Sequence, residues 1–403
     1  MPEFTALDER FAHQIPEPFP NTVQFHPDWR ESLFHHMHPK DRPGDVVILT
    51  LAHFPARKLM DSLQLGRVGD VPTIAHHERA VNGDQDLFKV GPVTIDVEEP
   101  LKRIRLRVDD VAEAAVAMDL TFTARTQPYC LRRGTMKAGH DLVWDQSHMF
   151  QSGRYDGWYR HNGTTYEVTD WIGQRDHSWG VRTHNRCPCW IWLAIQLPEG
   201  MLAVWHWEYP NGAQVASDGC FAPADGSAPI PVTRFTHDLT WLDAAGKPTS
   251  YELTGDHVAG LAGHVAFTLE GGRVIEVEAS GRWAQRYSDP ALPYKQGDDN
   301  PPVGGGLCEM AVKTRDGSVG TAIYDELLKT MILVVVEDSA LEKAMAAISE
   351  WEPKAAGSLQ DLTQGFMATV GAGQAEGITV EQNVELVGKF ANALAALGIA
   401  AYD

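Results

Sequence analysis

The sequence predicts a mainly β protein with two main domains, on three observations. Between Val46 and Thr330 the apolar side chains repeat at every second residue more often than at the helical period, which is typical of half-buried antiparallel strands. Pairs that favour tight hairpin turns separate these runs, at Asn162-Gly163, Gly271-Gly272 and Asp316-Gly317. At 403 residues, the chain is also long enough for two hydrophobic cores. The spacing of the hairpins suits barrels or sandwiches.

The alternation identifies individual strands in the first half of the chain. The apolar residues of these strands occupy one face, with polar or charged residues between them. Examples are Val93, Ile95 and Val97 in GPVTIDVEEP, Ile104, Leu106 and Val108 in RIRLRVDD, and Met118, Leu120 and Phe122 in MDLTFTAR.

The last residues, from Ser339 to Asp403, have a different pattern that predicts helices. Ser339 with Glu342, and Thr379 with Gln382, form capping boxes before apolar residues at helical spacing. We expect a small helical unit that either forms a homodimer seam or packs against its own barrel.

Charge and composition exclude several classes of partner. With 34 Lys and Arg against 54 Asp and Glu, the net charge of -20 should repel nucleic acid and anionic membrane surfaces. The first residues do not resemble a signal peptide, and no apolar run approaches the roughly 20 residues of a membrane helix. The odd number of cysteines, five, favours reduced thiols. We therefore expect a cytoplasmic protein without membrane insertion.

The sequence indicates neither a metal site nor a bound cofactor. Cys187 and Cys189 in RCPCW lack the spacing of zinc ribbons, and the histidines of HHMHP have no carboxylate or cysteine cluster at ligand spacing. No glycine-rich loop for a dinucleotide or a phosphate and no GxSxG elbow is present. We expect no metal and no cofactor.

The segment GQRDHSWGVR, Gly173 to Arg182, concentrates ionisable side chains in the middle of the chain. On an extended strand Arg175 and Asp176 point to opposite faces, so each needs its own partner. Arg175 could clamp a carboxylate while Asp176 accepts backbone amides or Arg182, which would make the segment a buried structural knot. The alternative is catalysis, with His177 as a proton-transfer residue at a cavity wall beside Trp179. His177 could also be a core histidine that is bonded to a carbonyl group.

Other polar residues occupy strands whose neighbours are apolar. In VWHWEYP, His206 and Glu208 share one face, and Trp205 and Trp207 share the other. One face must point into the barrel and provides either an acid/base pair or an aromatic lining. The candidate catalytic residues are Asp176, His177, His206, Glu208 and Glu309, and the candidate substrate-binding residues are Trp179, Tyr155, Tyr159, Trp205 and Trp207.

GQRDHSWGVR, between two β-patterned halves, resembles the central motif of the carotenoid 1,2-hydratase (hydroxyneurosporene synthase) superfamily, which includes AttH-like proteins and lipocalin-type Diels-Alderases. QSGRYDGWYRHNGTTYEV and GGGLCEMAVKTRDGSVG are similar to other parts of that family. The resemblance implies two tandem lipocalin-like barrels. The expected domains are an N-terminal extension at 1–45, barrels at 46–175 and 176–335, and a helical unit at 336–403.

These features favour a lyase or isomerase that needs no redox cofactor and acts on a hydrophobic terpenoid, steroid or aromatic molecule. Hydration, dehydration, isomerisation and cyclisation all require an apolar pocket with one or two proton donors or acceptors. Two alternatives stay open. One is a carrier that binds a hydrophobic ligand without converting it, and the other is a hydrolase or ring-cleaving lyase with His177 or His206 as base.

Overall fold

In the residues that the computed structural model describes, the chain is made almost wholly of antiparallel strands. The described residues are 5–11, 26–38, 42, 44–81, 87–138, 141–182, 189–208, 212–249, 257–287 and 303–329. Two short 3-10 helices, Ala6–Glu9 and Pro55–Arg57, accompany the strands. Within this part of the chain, no helix has the length and apolar character needed to cross a bilayer.

The first sheet is a nearly closed barrel of twelve strands. Its order is β4-β3-β2-β1-β12-β11-β8-β7-β6-β5, with β9 and β10 paired to β11. Arg79 of β4 donates hydrogen bonds to the carbonyl oxygens of Leu87 and Lys89, which connects the two end strands. The strands are β1 Trp29–His38, β2 Val46–Phe54, β3 Leu59–Val68, β4 Val71–Ala80, β5 Lys89–Val90, β6 Val93–Glu99, β7 Arg103–Val108, β8 Ala117–Ala124, β9 Tyr129–Cys130, β10 Gly134–Ala138, β11 Asp141–His161 and β12 Thr164–Arg182.

The second sheet is a closed barrel of nine strands in the order β16-β15-β14-β13-β21-β20-β19-β18-β17. Pairing between β16 and β18 closes it. The strands are β13 Cys189–Leu197, β14 Gly200–Glu208, β15 Gln214–Pro223, β16 Ile230–His237, β17 Thr240–Leu242, β18 Gly260–Leu269, β19 Val274–Arg286, β20 Val303–Thr314 and β21 Val319–Lys329.

Side chains fill both barrels, because alternate residues of each strand point inward. The first interior packs Leu33, Met37 and Phe122 with Tyr155 and Tyr159. A cavity beside Tyr155 has a volume of about 10 Å³, too small for an organic ligand. The second interior is a separate apolar cluster that includes Leu193, Val204 and Phe267. Packed side chains therefore occupy much of both interiors in the part of the chain that the structure describes.

A third apolar cluster lies between the barrels and is rich in tryptophan. It joins outward-facing residues of β2 and β11, such as Ile48 and Phe150, to Trp192, Trp205 and Trp207 of β13 and β14. Burial of these large rings stabilises the contact between the barrels. The same strands carry the polar groups of the candidate site.

These observations confirm the predicted tandem barrels and the three hairpin turns. Asn162 and Gly163 join β11 to β12, and both have the positive φ that a tight hairpin turn requires. The strand limits differ from the expected domain limits. β1 belongs to the first sheet although it precedes residue 46, and β12 continues past residue 175 to Arg182. The predicted helical unit at 336–403 lies outside the described residues.

Candidate active site

The Arg175 side chain is fully buried inside the first barrel, where it meets a carboxylate from the N-terminal segment. Its Nη1 and Nη2 donate to Glu9 at 2.8 and 2.6 Å, and its Nε donates to Gln151 Oε1 at 2.9 Å. Glu9 lies at the end of the first 3-10 helix and also accepts a bond from the backbone N of Leu101 at 2.5 Å. This arrangement is a structural ion pair with its hydrogen-bonding groups satisfied.

The environment of Glu9 keeps this carboxyl ionised. Burial alone raises its pKa, but the charge and hydrogen bonds of Arg175, with the Leu101 amide, lower the pKa below the ordinary value. Breaking the pair would leave an uncompensated charge in the interior.

His177 belongs to the same interior. Its Nδ1 donates to the carbonyl oxygen of Asp8 over 2.7 Å, and its Nε2 lies 3.1 Å from Glu31 Oε1. The side chains of His177 and Glu31 are fully buried, and the rings of Phe11 and Trp179 pack beside the imidazole. His177 is enclosed in the first barrel, so the structure does not bring it to the tryptophan-rich cluster.

Asp176 points the other way, toward the second barrel. Its Oδ1 lies 3.1 Å from Nε2 of His148 on β11, and both residues are buried. The distance is that of an ion pair, but the geometry does not meet the angular requirement of a hydrogen bond. The predicted separation of Arg175 and Asp176 onto opposite faces is confirmed, with His148 as the partner of Asp176.

His148 lines a cavity of about 430 Å³ between the two barrels. The rings of Trp144 and Trp207 are 4.1 Å apart, and Trp205 lies 4.4 Å from the His148 ring. The guanidinium of Arg182 lies 5.6 Å from the Trp144 and Trp205 rings. The lining comprises Leu131, Arg132, Arg133, Gly134, Thr135, Met136, Trp144, Gln146, His148, Trp205, Trp207, Val215, Ala216, Ser217 and Asp218.

Several polar atoms of the cavity wall are buried and have no hydrogen-bond partner in the described part of the chain. They are Oε1 and Nε2 of Gln146, Nδ1 of His148, and the indole nitrogens of Trp205 and Trp207. Buried polar groups are normally paired, because leaving one unpaired costs about 1–3 kcal/mol. These atoms belong to four residues that line this one cavity.

Burial lowers the pKa of His148 below its ordinary value, although Asp176 opposes this shift. The imidazole is therefore neutral at neutral pH and can accept a proton. If Nε2 carries the proton that faces Asp176, then Nδ1 has the free lone pair.

Asp218 anchors the opposite edge of the cavity. Its carboxylate accepts hydrogen bonds from the Tyr129 hydroxyl at 3.3 Å and from the Arg132 backbone N at 2.6 Å. These bonds hold the segment that begins at Leu131 against β15.

The structure shows which face of β14 points into the second barrel. Trp205 and Trp207 line the cavity between the barrels, and His206 and Glu208 face the interior of the second barrel. Glu208 Oε2 lies 3.2 Å from His206 Nε2 and 3.1 Å from Nε2 of His237 on β16. Burial raises the pKa of Glu208, but its hydrogen bonds to the two histidines lower it to about 2.

The remaining candidates lie elsewhere. Tyr155 donates to the Gln174 carbonyl oxygen at 3.2 Å and Tyr159 to Asp45 at 2.7 Å, both within the first core. Glu309 is outside the second interior, near Gly44 and Arg282, and burial raises the pKa of its carboxyl. The structure does not bring these residues to the cavity. Substrate binding by Tyr155 and Tyr159 and a catalytic role for Glu309 stay predictions.

Sequence reasoning missed His148 and Gln146, the most informative residues of the cavity. The signal was present in WDQSHMF, where Trp144, Gln146 and His148 alternate on one face of a strand that also carries Phe150. A polar residue among apolar ones in a strand is the same signal that made His206 and Glu208 candidates.

Comparison with known proteins identifies the family and supports the fold. Residues 4–252 match the model of a family of unknown function (DUF8625), and the chain belongs to that family. No curated protein matches the sequence. A putative AttH from Nitrosomonas europaea is similar in structure, with a TM-score of 0.51 at 13% identity, covering 76% of this chain and 94% of the other. This likeness shows the fold.

Two further structures are similar at lower scores. Kievitone hydratase from Nectria haematococca has a TM-score of 0.44 at 13% identity, covering 76% of this chain and 91% of its own. CghA with Sch210972 has a TM-score of 0.46 at 12% identity, covering 75% and 89%. The resemblance to carotenoid 1,2-hydratase itself stays a prediction.

Proposed function

We propose that the cavity between the barrels is the active site of a lyase or isomerase that transfers protons on a hydrophobic small molecule. The observation that carries the proposal is the position of His148, a buried imidazole in the tryptophan-lined wall, with Asp176 behind it at 3.1 Å. A proton acceptor next to a carboxylate in an apolar pocket is the arrangement that hydration, dehydration and double-bond isomerisation need.

The cavity wall indicates the class of substrate. Three indoles offer flat apolar surfaces, and a volume of about 430 Å³ suits a molecule of a few rings. The unpartnered amide of Gln146 and the indole N–H groups of Trp205 and Trp207 could bind a carbonyl or hydroxyl oxygen. We infer a neutral, largely apolar substrate with one or two oxygen functions, such as a terpenoid, a steroid or an aromatic compound.

The division of roles follows from the geometry. In an isomerisation, His148 Nδ1 would take a proton from one carbon and return it to another; in a hydration, it would take a proton from the water whose oxygen bonds to one alkene carbon and return that proton to the other. Asp176 stabilises the imidazolium formed in between and holds the ring, so Asp176 is a positioning residue. A hydrolase based on His177 or His206 has less support, because neither of them lines the cavity.

A purified full-length protein allows a direct test. Any ligand that remains bound after purification would be identified by mass spectrometry, and the protein would then be incubated with it or with related compounds in deuterated water. Incorporation of deuterium into a recovered product supports proton transfer. Ligand recovered unchanged and without deuterium would support the carrier alternative and overturn the proposed activity.

Two variants test whether deuterium incorporation takes place in the cavity. His148→Gln should reduce deuterium incorporation by about 10² to 10⁴, the usual contribution of a general base. His76→Gln is a matched control, because His76 lies 3.4 Å from Asp61 in a similar pair outside the cavity. Equal activity of the His148→Gln protein and the wild type would exclude His148 as the base.

A further inference from the structure

His206, Glu208 and His237 bring three metal-ligating side chains together at the second barrel, apart from the inter-barrel cavity. One ligand atom from each residue lies within 4.8 Å of the others. We propose that these residues bind a divalent transition-metal ion such as Zn²⁺. The sequence did not suggest this site, because His237 comes 29 residues after Glu208 and belongs to another strand.

The distances fit a metal with little rearrangement. Ligand atoms about 2.0–2.1 Å from a tetrahedral Zn²⁺ are separated from one another by about 3.3–3.4 Å. The Nε2 atoms of His206 and His237 lie 3.2 and 3.1 Å from Glu208 Oε2. Two of the three pairs of ligand atoms therefore have nearly the required separation, and the third pair, between the two histidines, lies within 4.8 Å, so a modest movement of the side chains would make room for the ion.

The donor set is chemically suited to such an ion. Two imidazole nitrogens and one carboxylate oxygen are common ligands of zinc and of other first-row divalent metals. Three protein ligands leave a fourth position for water or a small ligand, as in catalytic rather than structural zinc sites.

The strands explain both the convergence and the access. His206 and Glu208 share the inward face of β14, and β16 pairs with β15 only at Cys220–Pro231 and Phe221–Ile230. Beyond these pairs β16 continues beside β18, which leaves His237 near the edge of an open groove of about 640 Å³ that it lines. The side chains of Glu208 and His237 are 18% and 17% exposed, so an ion can reach them.

The surroundings also set the expected affinity. The Nδ1 atoms of His206 and His237 are buried without a hydrogen-bond partner from the residues that the structure describes. Outer partners of ligating histidines typically strengthen metal affinity by 10–100-fold. We therefore expect binding weaker than that of zinc enzymes whose histidines are held by carboxylates.

Metal titration of the full-length protein tests the site. After removal of metals by a chelator, Zn²⁺ should bind with one equivalent per chain, and Co²⁺ should give the visible absorption of a tetrahedral complex. His206→Gln, Glu208→Gln and His237→Gln should each raise the Kd by more than about 100-fold, since they remove a direct ligand. His264→Gln, which alters an exposed histidine paired with Asp238, should leave the Kd unchanged.

A fourth variant keeps the test decisive if the others fold poorly. His237→Cys retains a ligating atom, so it should bind Co²⁺ and add an absorption band from the thiolate. The proposal is overturned if the wild type binds no stoichiometric metal. It is equally overturned if folded glutamine variants, checked by circular dichroism, keep the wild-type Kd or if His237→Cys binds Co²⁺ without a thiolate band.

Discussion

The two faces of β12 carry charged residues of similar type in opposite situations. On the inner face, Arg175 is bonded to Glu9 and Gln151, and His177 is bonded to Asp8 and lies beside Glu31. On the outer face, Asp176 lies 3.1 Å from His148 at the wall of a cavity where other polar atoms have no hydrogen-bond partner in the described chain. Charge alone therefore does not identify a site. Charged groups whose hydrogen bonds are made within the protein stabilise the barrel. Polar groups without such bonds, beside a cavity, are the better candidates for contact with a ligand.

The largest expected effect concerns the inner face. Glu9→Gln leaves the buried Arg175 guanidinium without a counter-charge, which should lower the free energy of unfolding by about 3–5 kcal/mol. Urea denaturation would measure the loss. Replacing both members, as in Glu9→Leu with Arg175→Met, should restore much of the stability because no unpaired charge remains.

Glu99→Gln is the matched control for that experiment. Glu99 pairs with Lys102 at 2.7 Å at an exposed position, so its loss should leave stability nearly unchanged. If Glu9→Gln were as mild as Glu99→Gln, the inner face would not have the structural role described here.

The pH dependence of stability extends the comparison to the buried histidines of β1, the strand that pairs with β12. His36 and His38 are buried there, and neither ring nitrogen of either residue has a hydrogen-bond partner among the residues described. Burial lowers the pKa of His38 from 6.5 to about 4. Because the unfolded chain binds the proton more tightly, the stability that depends on neutral His38 is complete above about pH 6.5 and decreases as the pH falls toward 4.

The expected contribution of His38 between pH 7 and pH 5 is about 2 kcal/mol of unfolding free energy. His38→Met should reduce the acid sensitivity of unfolding by this amount, measured by urea denaturation at both pH values. An unchanged slope for His38→Met would show that His38 is not buried in the neutral form.

A smaller effect is expected for the wall of the cavity. Trp207→Ala removes one of the three indoles of the lining and should weaken ligand binding by about 30-fold, equivalent to about 2 kcal/mol. Trp241→Ala removes an indole that packs against the second core instead and should leave affinity unchanged. Calorimetric titration with the identified ligand would compare the two. Equal affinities would place the ligand elsewhere.

Local patterns predicted much of the fold, because alternation and hairpin turns act over a few residues. They also placed Arg175 and Asp176 on opposite faces correctly. The partners could not be predicted, since Glu9 is 166 residues from Arg175 and lies in a segment expected to be an extension. The domain boundary at residue 175 stays a prediction, and β12 is one continuous strand of the first sheet that passes through this residue.

The tryptophans show the same limit of prediction from local sequence patterns. For Trp205 and Trp207 the sequence offered an aromatic lining inside a barrel as one of two possibilities, yet Trp144, Trp205 and Trp207 line a cavity between the barrels. The alternation of residue types along a strand shows that its two faces differ. Which face lines a cavity depends on how one sheet packs on another.

Asp176→Asn, measured for both stability and turnover, tests the central claim most directly, because this residue shares a strand with Arg175 and differs from it in its surroundings. We expect deuterium incorporation to fall by at least about 10²-fold and its pH profile to change, with a loss of less than about 1 kcal/mol of unfolding free energy. An Asp176→Asn protein that is destabilised by about 3–5 kcal/mol yet retains wild-type turnover would contradict the account and make Asp176 part of the structural network.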